Sequence, residues 1–198
     1  LFNLIFIYFI YMDTSFYIKY FDNLFLAGDP QGSKFYFSKC GNRGNVLKQG
    51  DKSYPGFSLG LVFTRQLGHP LKLSSISKTP KNANLLKQGM KLINSYDPSF
   101  ECTSIQFNKN YQIAKHIDGR NVGDSYIIGL GDYSGGELIV YNSKDEATYI
   151  DINHQFYKFN GSKYYHEVSE FIGDRITLVF FRLSEDNKIP EHQKSKKY

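Results

Sequence analysis

The chain has 198 residues, which is enough for one domain with a sizeable hydrophobic core. Hydrophobic residues make up 41% and aromatic residues 17% of it, which excludes an intrinsically disordered protein. The formal net charge of +5 is compatible with an anionic partner such as nucleic acid, although a coding bias towards Lys, Asn, Ile, Tyr and Phe explains it equally well. Cys40 and Cys102 are the only cysteines, which argues against a disulfide scaffold or a zinc ribbon and favours a reducing compartment.

The chain starts with an apolar run, LFNLIFIYFIYM. The run is shorter than the roughly 20 residues that cross a bilayer, and it lacks the basic flank of a secretory signal. We therefore predict no stable membrane span and an intracellular protein, cytoplasmic or nuclear, although this run leaves membrane or secretory targeting open. Because Met12 is the first methionine, we interpret residues 1–11 as upstream sequence or a trimmed fragment, and we place residues 1–12 outside the domain.

Short aromatic-rich runs follow in residues 15–63, namely FYIKYF, KFYFS and FSLGLVF, and turn-forming residues separate them. This pattern predicts strands and loops. Residues 83–95 differ, because apolar residues recur there at helical spacing, which predicts one amphipathic helix despite Gly89 in its middle. The apolar residues of this helix are Leu85, Leu86, Met90 and Ile93.

From residue 102 onward, short β-prone runs alternate with turns rich in Gly, Asn and Asp. We predict a mainly β domain with a few helices, built as a sandwich or barrel that includes the double-sheet jelly roll. The domain spans residues 13–184 with its core at 102–183, and residues 185–198 form a charged tail. The predicted strands are CTSIQFN, YQIAKHI, SYIIGLG, GELIVYN, ATYIDI, QFYKFN and DRITLVFFRL.

A candidate metal site lies in these strands. His116 and Asp118 form a His-x-Asp pair, and His166 follows 50 residues later, far enough for the chain to fold back. Two His and one carboxylate on one face of an iron leave positions open for a cosubstrate and O₂. Arg175 starts a strongly apolar strand and could bind a carboxylate through its planar fork. His154 is a rival third ligand, but it lies in a turn without an Arg nine residues later.

This ordered set resembles the Fe(II)/2-oxoglutarate-dependent dioxygenase superfamily. HEVSEFIGDRITLVFF is similar to the closing strands of that family, in which the second His is followed by a Gly, an Arg and a hydrophobic run. GDYSGGELIVY is similar to the Gly-Gly-Glu-Leu strand that many members place after His-x-Asp. The resemblance covers about residues 102–183 and implies a double-stranded β-helix, a cupin-like jelly roll, with iron at one open end.

The resemblance also implies roles for individual residues. His116, Asp118 and His166 would be the catalytic iron ligands, and Fe(II), O₂ and 2-oxoglutarate would hydroxylate a C–H bond and yield succinate and CO₂. Four residues would contact 2-oxoglutarate: Arg175 at the far carboxylate, Thr177 beside it, and Tyr111 and Asn108 from the strand before the first His.

The substrate is not determined by fold and iron. The leading prediction is a nucleobase of the 5-methylpyrimidine type in DNA or RNA, motivated by the net charge, with Arg120 as a candidate contact to a phosphate or carboxylate. The alternative is a protein side chain, as in prolyl 4-hydroxylases, although those enzymes usually use a Lys where this chain has Arg175. A third possibility, from another class, is a non-catalytic jelly-roll binding module, which the intact triad disfavours. The sequence does not predict the oligomeric state.

Overall fold

A computed structural model describes residues 2–25, 47–48, 55–64 and 68–184, with side chains from residue 14 onward. Within these residues it contains two helices, α1 at Phe2–Phe25 and α2 at Pro80–Tyr96, and a short 3₁₀ turn at Ile76–Lys78. Its eleven strands are β1 Gly56–Phe63, β2 Leu71–Leu73, β3 Ser104–Lys109, β4 Ser125–Leu130, β5 Tyr133–Gly135, β6 Leu138–Tyr141, β7 Ala147–Ile150, β8 Tyr157–Phe159, β9 His166–Val168, β10 Phe171–Gly173 and β11 Ile176–Phe181.

These strands form one large and two small antiparallel sheets, so the predicted mainly β architecture is confirmed. The large sheet has six strands in the order β2-β1-β3-β11-β4-β8, and a smaller sheet has the order β7-β6-β9. Strands β5 and β10 form a separate pair. Ile127 and Phe159 of the large sheet pack against Leu138 of the smaller sheet and against Ile152, so the two sheets face each other.

The central strand β11 shows how the sequence positions the site. Ile176, Leu178 and Phe180 are fully buried on one face, which the helices cover. Because side chains alternate along a strand, Thr177 and its neighbours at even spacing point to the opposite face, towards the smaller sheet. Thr177 is in register with Asn108 of β3 and with Gly129 of β4. The large sheet therefore presents an apolar face to the helices and a partly polar face to the space between the sheets.

The two helices cover the first face. Tyr17, Phe21 and Phe25 of α1 are buried at a spacing of four residues and join the main hydrophobic core. This overturns the prediction that FYIKYF forms a strand. The β-prone aromatic residues of this segment suggested a strand, but their i, i+4 spacing fits one face of a helix, and packing on the sheet decides the outcome. Helix α1 also crosses the predicted boundary at residue 12 without a break.

The later predicted elements agree with the structure, with one exception. The helix predicted at 83–95 is α2, and six of the seven predicted strands from residue 102 onward correspond to β3, β4, β6, β7, β8 and β11. YQIAKHI is not a strand, because only His116 in it makes a bridge, to His166. The predicted strand KFYFS, Cys40 and the predicted tail at 185–198 lie outside the described residues. Among the described helices, none combines the length and apolar character that a membrane crossing requires.

Gly89, which weakened the helix prediction, is explained by close packing of α2 on β3. A Cβ atom at this position would lie 2.4 Å from Ile105 Cδ1, and Ile105 is fully buried. We expect Gly89→Ala to lower the free energy of unfolding by about 1 kcal/mol, because the destabilisation from overpacking exceeds the stabilisation from the higher helix propensity of Ala. Chemical denaturation will test this. Ile105→Val removes the opposing methyl group and should rescue Gly89→Ala, and an additive double variant would contradict the explanation.

Candidate metal centre

The two histidines are brought together by their backbones. His116 N donates to His166 O, and His166 N donates to His116 O, each at 3.0 Å. This two-bond bridge places both imidazoles on the same side, with ring centroids 4.2 Å apart. The rings are 9% and 5% exposed, so they face the interior between the sheets. The pairing does not depend on the side chains, which leaves the imidazoles available for chemistry.

Asp118 completes the group from the turn that follows His116. Its backbone N donates to Gly161 O at 2.9 Å, which fixes the turn beside His166. Its carboxylate oxygens lie 3.7 Å from His116 Nε2 and 3.6 Å from His166 Nε2. One ligand atom from each of the three side chains lies within 4.8 Å of the other two. Gly161 leaves the room for this, because a Cβ there would lie 3.2 Å from the His166 ring.

The hydrogen bonds of the imidazoles favour metal binding through Nε2. His116 Nδ1 lies 2.8 Å from Ala114 O, and His166 Nδ1 lies 3.2 Å from Tyr164 O. Because a carbonyl oxygen only accepts, both Nδ1 atoms carry the proton and both Nε2 atoms present lone pairs. Such backbone partners are the usual outer-shell support of metal-bound histidines. Two imidazole nitrogens and one carboxylate therefore fit a divalent iron with open positions.

A cavity of about 80 Å³ adjoins the three side chains. Asn108 and Thr177 line it and are nearly fully buried, and Asn108 Nδ2 donates to Thr177 Oγ1 at 2.8 Å. Gln106 also lines the cavity, and its Nε2 donates to Asn108 Oδ1 at 3.0 Å. Gln106 was missed by the sequence analysis, although its position two residues before Asn108 on β3 places it on the same face. The polar row gives the apolar cavity a wall that can hydrogen-bond a small polar ligand.

Arg175 is 2% exposed and immediately precedes β11, two residues before Thr177. Its Nη2 donates to Gly136 O at 2.8 Å, and its guanidinium lies 5.4 Å from the ring centres of both Tyr133 and Phe171. Burial lowers the pKa of the guanidinium, which nevertheless stays charged at neutral pH. Arg175 is not among the described residues that line the cavity. It lies beside Tyr133 and Phe171.

Three other predicted residues lie away from the cavity. Tyr111 Oη accepts a hydrogen bond from Lys48 N at 2.9 Å, and Tyr111 is not among the described lining residues. Arg120 is exposed, with its guanidinium 5.4 Å from the ring centre of Phe63. The rival ligand His154 lies near α1, where its Nε2 is 2.9 Å from Asp22 Oδ2.

Comparisons with known proteins give structural matches only. No protein-family model and no curated protein sequence matches the chain. An oxidoreductase of the 2OG-Fe(II) oxygenase family from Burkholderia pseudomallei matches with a TM-score of 0.52 and 17% identity, over 84% of this chain and 85% of that one.

Two further structures match less closely. NgTET1 in complex with 5mC DNA gives a TM-score of 0.49 at 15% identity, over 68% of this chain and 63% of that one. The chain thus spans less than two thirds of the NgTET1 chain. A prolyl-4-hydroxylase from Pseudomonas putida gives a TM-score of 0.39 at 12% identity, over 70% of this chain and 78% of that one. Together with the two facing antiparallel sheets, the match to the Burkholderia protein shows that this chain has the jelly-roll fold of the 2OG-Fe(II) oxygenases.

Proposed function

We propose that this protein is an Fe(II)- and 2-oxoglutarate-dependent dioxygenase that hydroxylates a C–H bond of its substrate. The observation that carries the proposal is the group of His116, Asp118 and His166, two buried imidazoles and a half-buried carboxylate, whose ligand atoms converge beside a cavity in a jelly-roll fold. Both imidazoles present Nε2 to the same space, which is the donor set of the facial triad. A non-catalytic binding module would not need two buried imidazoles and a half-buried carboxylate held in this way.

Arg175 is the candidate partner for the far carboxylate of a dicarboxylic acid bound at the triad. Arg175 Nε is buried and has no hydrogen-bond partner among the described residues, although an unpaired guanidinium N–H is costly to bury. A carboxylate next to Arg175 would supply the missing acceptor, and the planar guanidinium can bind a carboxylate with two hydrogen bonds. Thr177 lines the cavity and is two residues after Arg175 in the sequence, and Asn108 donates a hydrogen bond to Thr177. We therefore assign the far carboxylate of 2-oxoglutarate to Arg175.

Bound Fe(II) and 2-oxoglutarate would supply chemistry in which O₂ takes two electrons from the oxidative decarboxylation of 2-oxoglutarate to succinate and CO₂ and two from the substrate C–H bond, with one oxygen atom entering succinate and the other the substrate. The residues of the chain prepare this site. The His116 and His166 imidazoles and the Asp118 carboxylate would hold the ion, and its remaining positions would be available to the cosubstrate and O₂. Apolar cavity residues exclude bulk water from the reaction, and they include Ile127, Leu138 and Val179.

The substrate proposal keeps a nucleobase first and a protein side chain second. The net charge of +5 motivated the nucleobase. However, residues 101–184, which hold the triad, contain eight Lys and Arg against eleven Asp and Glu, a formal charge of −3. Of the described residues that line the cavity, none is Lys or Arg. The basic excess that would attract phosphates therefore lies in other parts of the sequence, so the test must treat both substrate classes equally.

Iron-dependent conversion of 2-oxoglutarate to succinate is the measurement that tests the proposed activity. We expect turnover with Fe(II), ascorbate and O₂, and none when Zn²⁺ replaces iron. Separate reactions with DNA, RNA and peptide pools should show which class of substrate stimulates succinate formation. Mass spectrometry should then show a gain of 16 Da in the members of that pool that are hydroxylated. Failure of the metal-loaded protein to bind 2-oxoglutarate would contradict the proposal. Stimulation by peptides alone would replace the nucleobase by a protein substrate.

A further inference from the structure

The turn that follows Asp118 carries a buried asparagine, Asn121. The backbone N of Asn121 donates to Asp118 O at 2.9 Å, which closes the turn at residues 118–121. Val122 N then donates to Arg182 O at 2.9 Å, which ties the end of the turn to the chain after β11. Asn121 is only 9% exposed and lines the cavity beside the triad, although asparagine is mostly exposed in proteins. The fold therefore directs this polar side chain inward, where an amide requires hydrogen bonds.

The side-chain amide of Asn121 contacts a metal ligand. Its Nδ2 donates to Asp118 Oδ2 at 3.5 Å. This distance is long for an N–H···O bond, and hydrogen bonds in catalytic sites are often long until the site is loaded. The same carboxylate oxygen lies 3.6 Å from His166 Nε2, whereas Asp118 Oδ1 lies 3.7 Å from His116 Nε2. The amide therefore approaches the carboxylate at Oδ2, on the side of His166.

We propose that Asn121 is a positioning residue, which holds the Asp118 carboxylate in the orientation that binds the metal ion. This inference rests on the proposed function, because it assigns a supporting residue to the same metal site. A carboxylate rotates easily about its bond to Cβ, and a hydrogen bond to one oxygen limits that rotation. Backbone carbonyls fix the two imidazoles of the triad, and Asn121 gives Asp118 the corresponding support.

An asparagine that only shapes the turn would behave differently. The turn is closed by the backbone N of Asn121, so a different side chain keeps that bond. Leucine is similar in size to asparagine and lacks the amide, so Asn121→Leu should keep the turn and lose the donor to Asp118. If Asn121 only shapes the turn or fills space, metal binding should not change. If its amide orients Asp118, the affinity for the metal and the geometry of the bound ion should both change.

The experiment measures the affinity of the full chain for Mn²⁺ and Co²⁺ by competition with a chelating dye. We expect Asn121→Leu and Asn121→Ala to weaken both ions about 10- to 100-fold, as is typical for loss of a partner of a metal ligand. The visible absorption spectrum of bound Co²⁺ should change as well, because it reports the arrangement of the ligands.

Asn142→Leu is the matched control. Asn142 Nδ2 also donates to a carboxylate, Glu146 Oε2 at 2.7 Å, but in an exposed turn between β6 and β7. Its Oδ1 accepts from Lys144 N at 2.9 Å and from Glu146 N at 3.0 Å, so this asparagine shapes its turn through its side chain. Its replacement should therefore lower the Tm and leave the metal affinity and the Co²⁺ spectrum as in the wild type.

Each other outcome overturns a defined part of the scheme. Wild-type metal affinity and Co²⁺ spectrum in both Asn121 variants would overturn the role of Asn121 and leave the proposed function intact. Weak metal binding in Asn121→Leu but not in Asn121→Ala would show a steric effect of leucine and overturn that role as well. Equal weakening in Asn142→Leu would show damage to the fold instead of a change at Asp118. No metal binding by the wild type would overturn the proposed function, and the inference with it.

Discussion

Replacing His116 with alanine should abolish metal binding and turnover while leaving the fold intact. The His116 backbone keeps its two bonds to His166, and the imidazole lies in the cavity rather than in the hydrophobic core. Loss of an outer-shell partner typically weakens metal binding by about 10- to 100-fold, so we expect loss of a direct ligand to exceed about 100-fold. The measurements are metal affinity by competition with a chelating dye and succinate formation.

Thermal unfolding gives a second readout that does not need turnover. A metal that binds only the folded state raises the Tm of the wild type, and this rise should vanish in His116→Ala. His154→Ala is the control, because His154 is 41% exposed and pairs with Asp22 rather than with the triad. That surface pair contributes at most about 1 kcal/mol to stability, so metal binding should be kept. Loss of metal binding in His154→Ala alone would reverse our choice of ligand.

The sequence predicts the candidate site better than it predicts the structure of the N-terminal segment. Order and spacing of His116, Asp118 and His166 indicate a common site because the three residues lie beside predicted strands that fold back on each other. The structure brings them together, although it does so through a two-residue bridge rather than the long strand predicted for YQIAKHI. A bridge of this length is too short to show an alternating sequence pattern, so β propensity alone predicts a longer strand than the one that forms.

The N-terminal helix shows where local preference fails. Aromatic residues favour strands in general, and FYIKYF contains little else. The decisive signal was the spacing of Tyr17, Phe21 and Phe25, which places three rings on one helix face against α2 and the large sheet. Such a contact is tertiary, and it overrides propensity. The same distinction applies to Gly89, which weakens an isolated helix but permits close contact with Ile105.

Tyr133 lies beside Arg175, which could not have been predicted from the sequence. It lies four residues after Gly129, and only the conformation of the intervening turn shows that its ring folds back over β4. Gly129 does not predict this contact either, because a glycine in a strand indicates a close approach but does not identify the group that approaches. Arg175, by contrast, was indicated by its own chemistry, since a charged residue at the start of an apolar strand requires a partner.

Replacing Arg175 with lysine should raise the 2-oxoglutarate concentration needed for half-maximal turnover by roughly 30-fold, or about 2 kcal/mol. The guanidinium is planar, donates from Nη2 to Gly136 O and still presents Nε, and it lies beside the rings of Tyr133 and Phe171. A lysine ammonium is a point charge that cannot bond Gly136 and offer a fork to a carboxylate at the same time. Succinate formation as a function of 2-oxoglutarate concentration is the measurement.

The metal site should be unaffected by this change, because Arg175 makes no described contact with His116, Asp118 or His166. Metal affinity in Arg175→Lys should therefore equal that of the wild type, which separates a cosubstrate effect from damage to the fold. Arg182→Lys is the control, because Arg182 follows the same strand but is 43% exposed and pairs with Glu101 at 3.2 Å. An unchanged 2-oxoglutarate dependence in Arg175→Lys would contradict the assignment of the far carboxylate to Arg175.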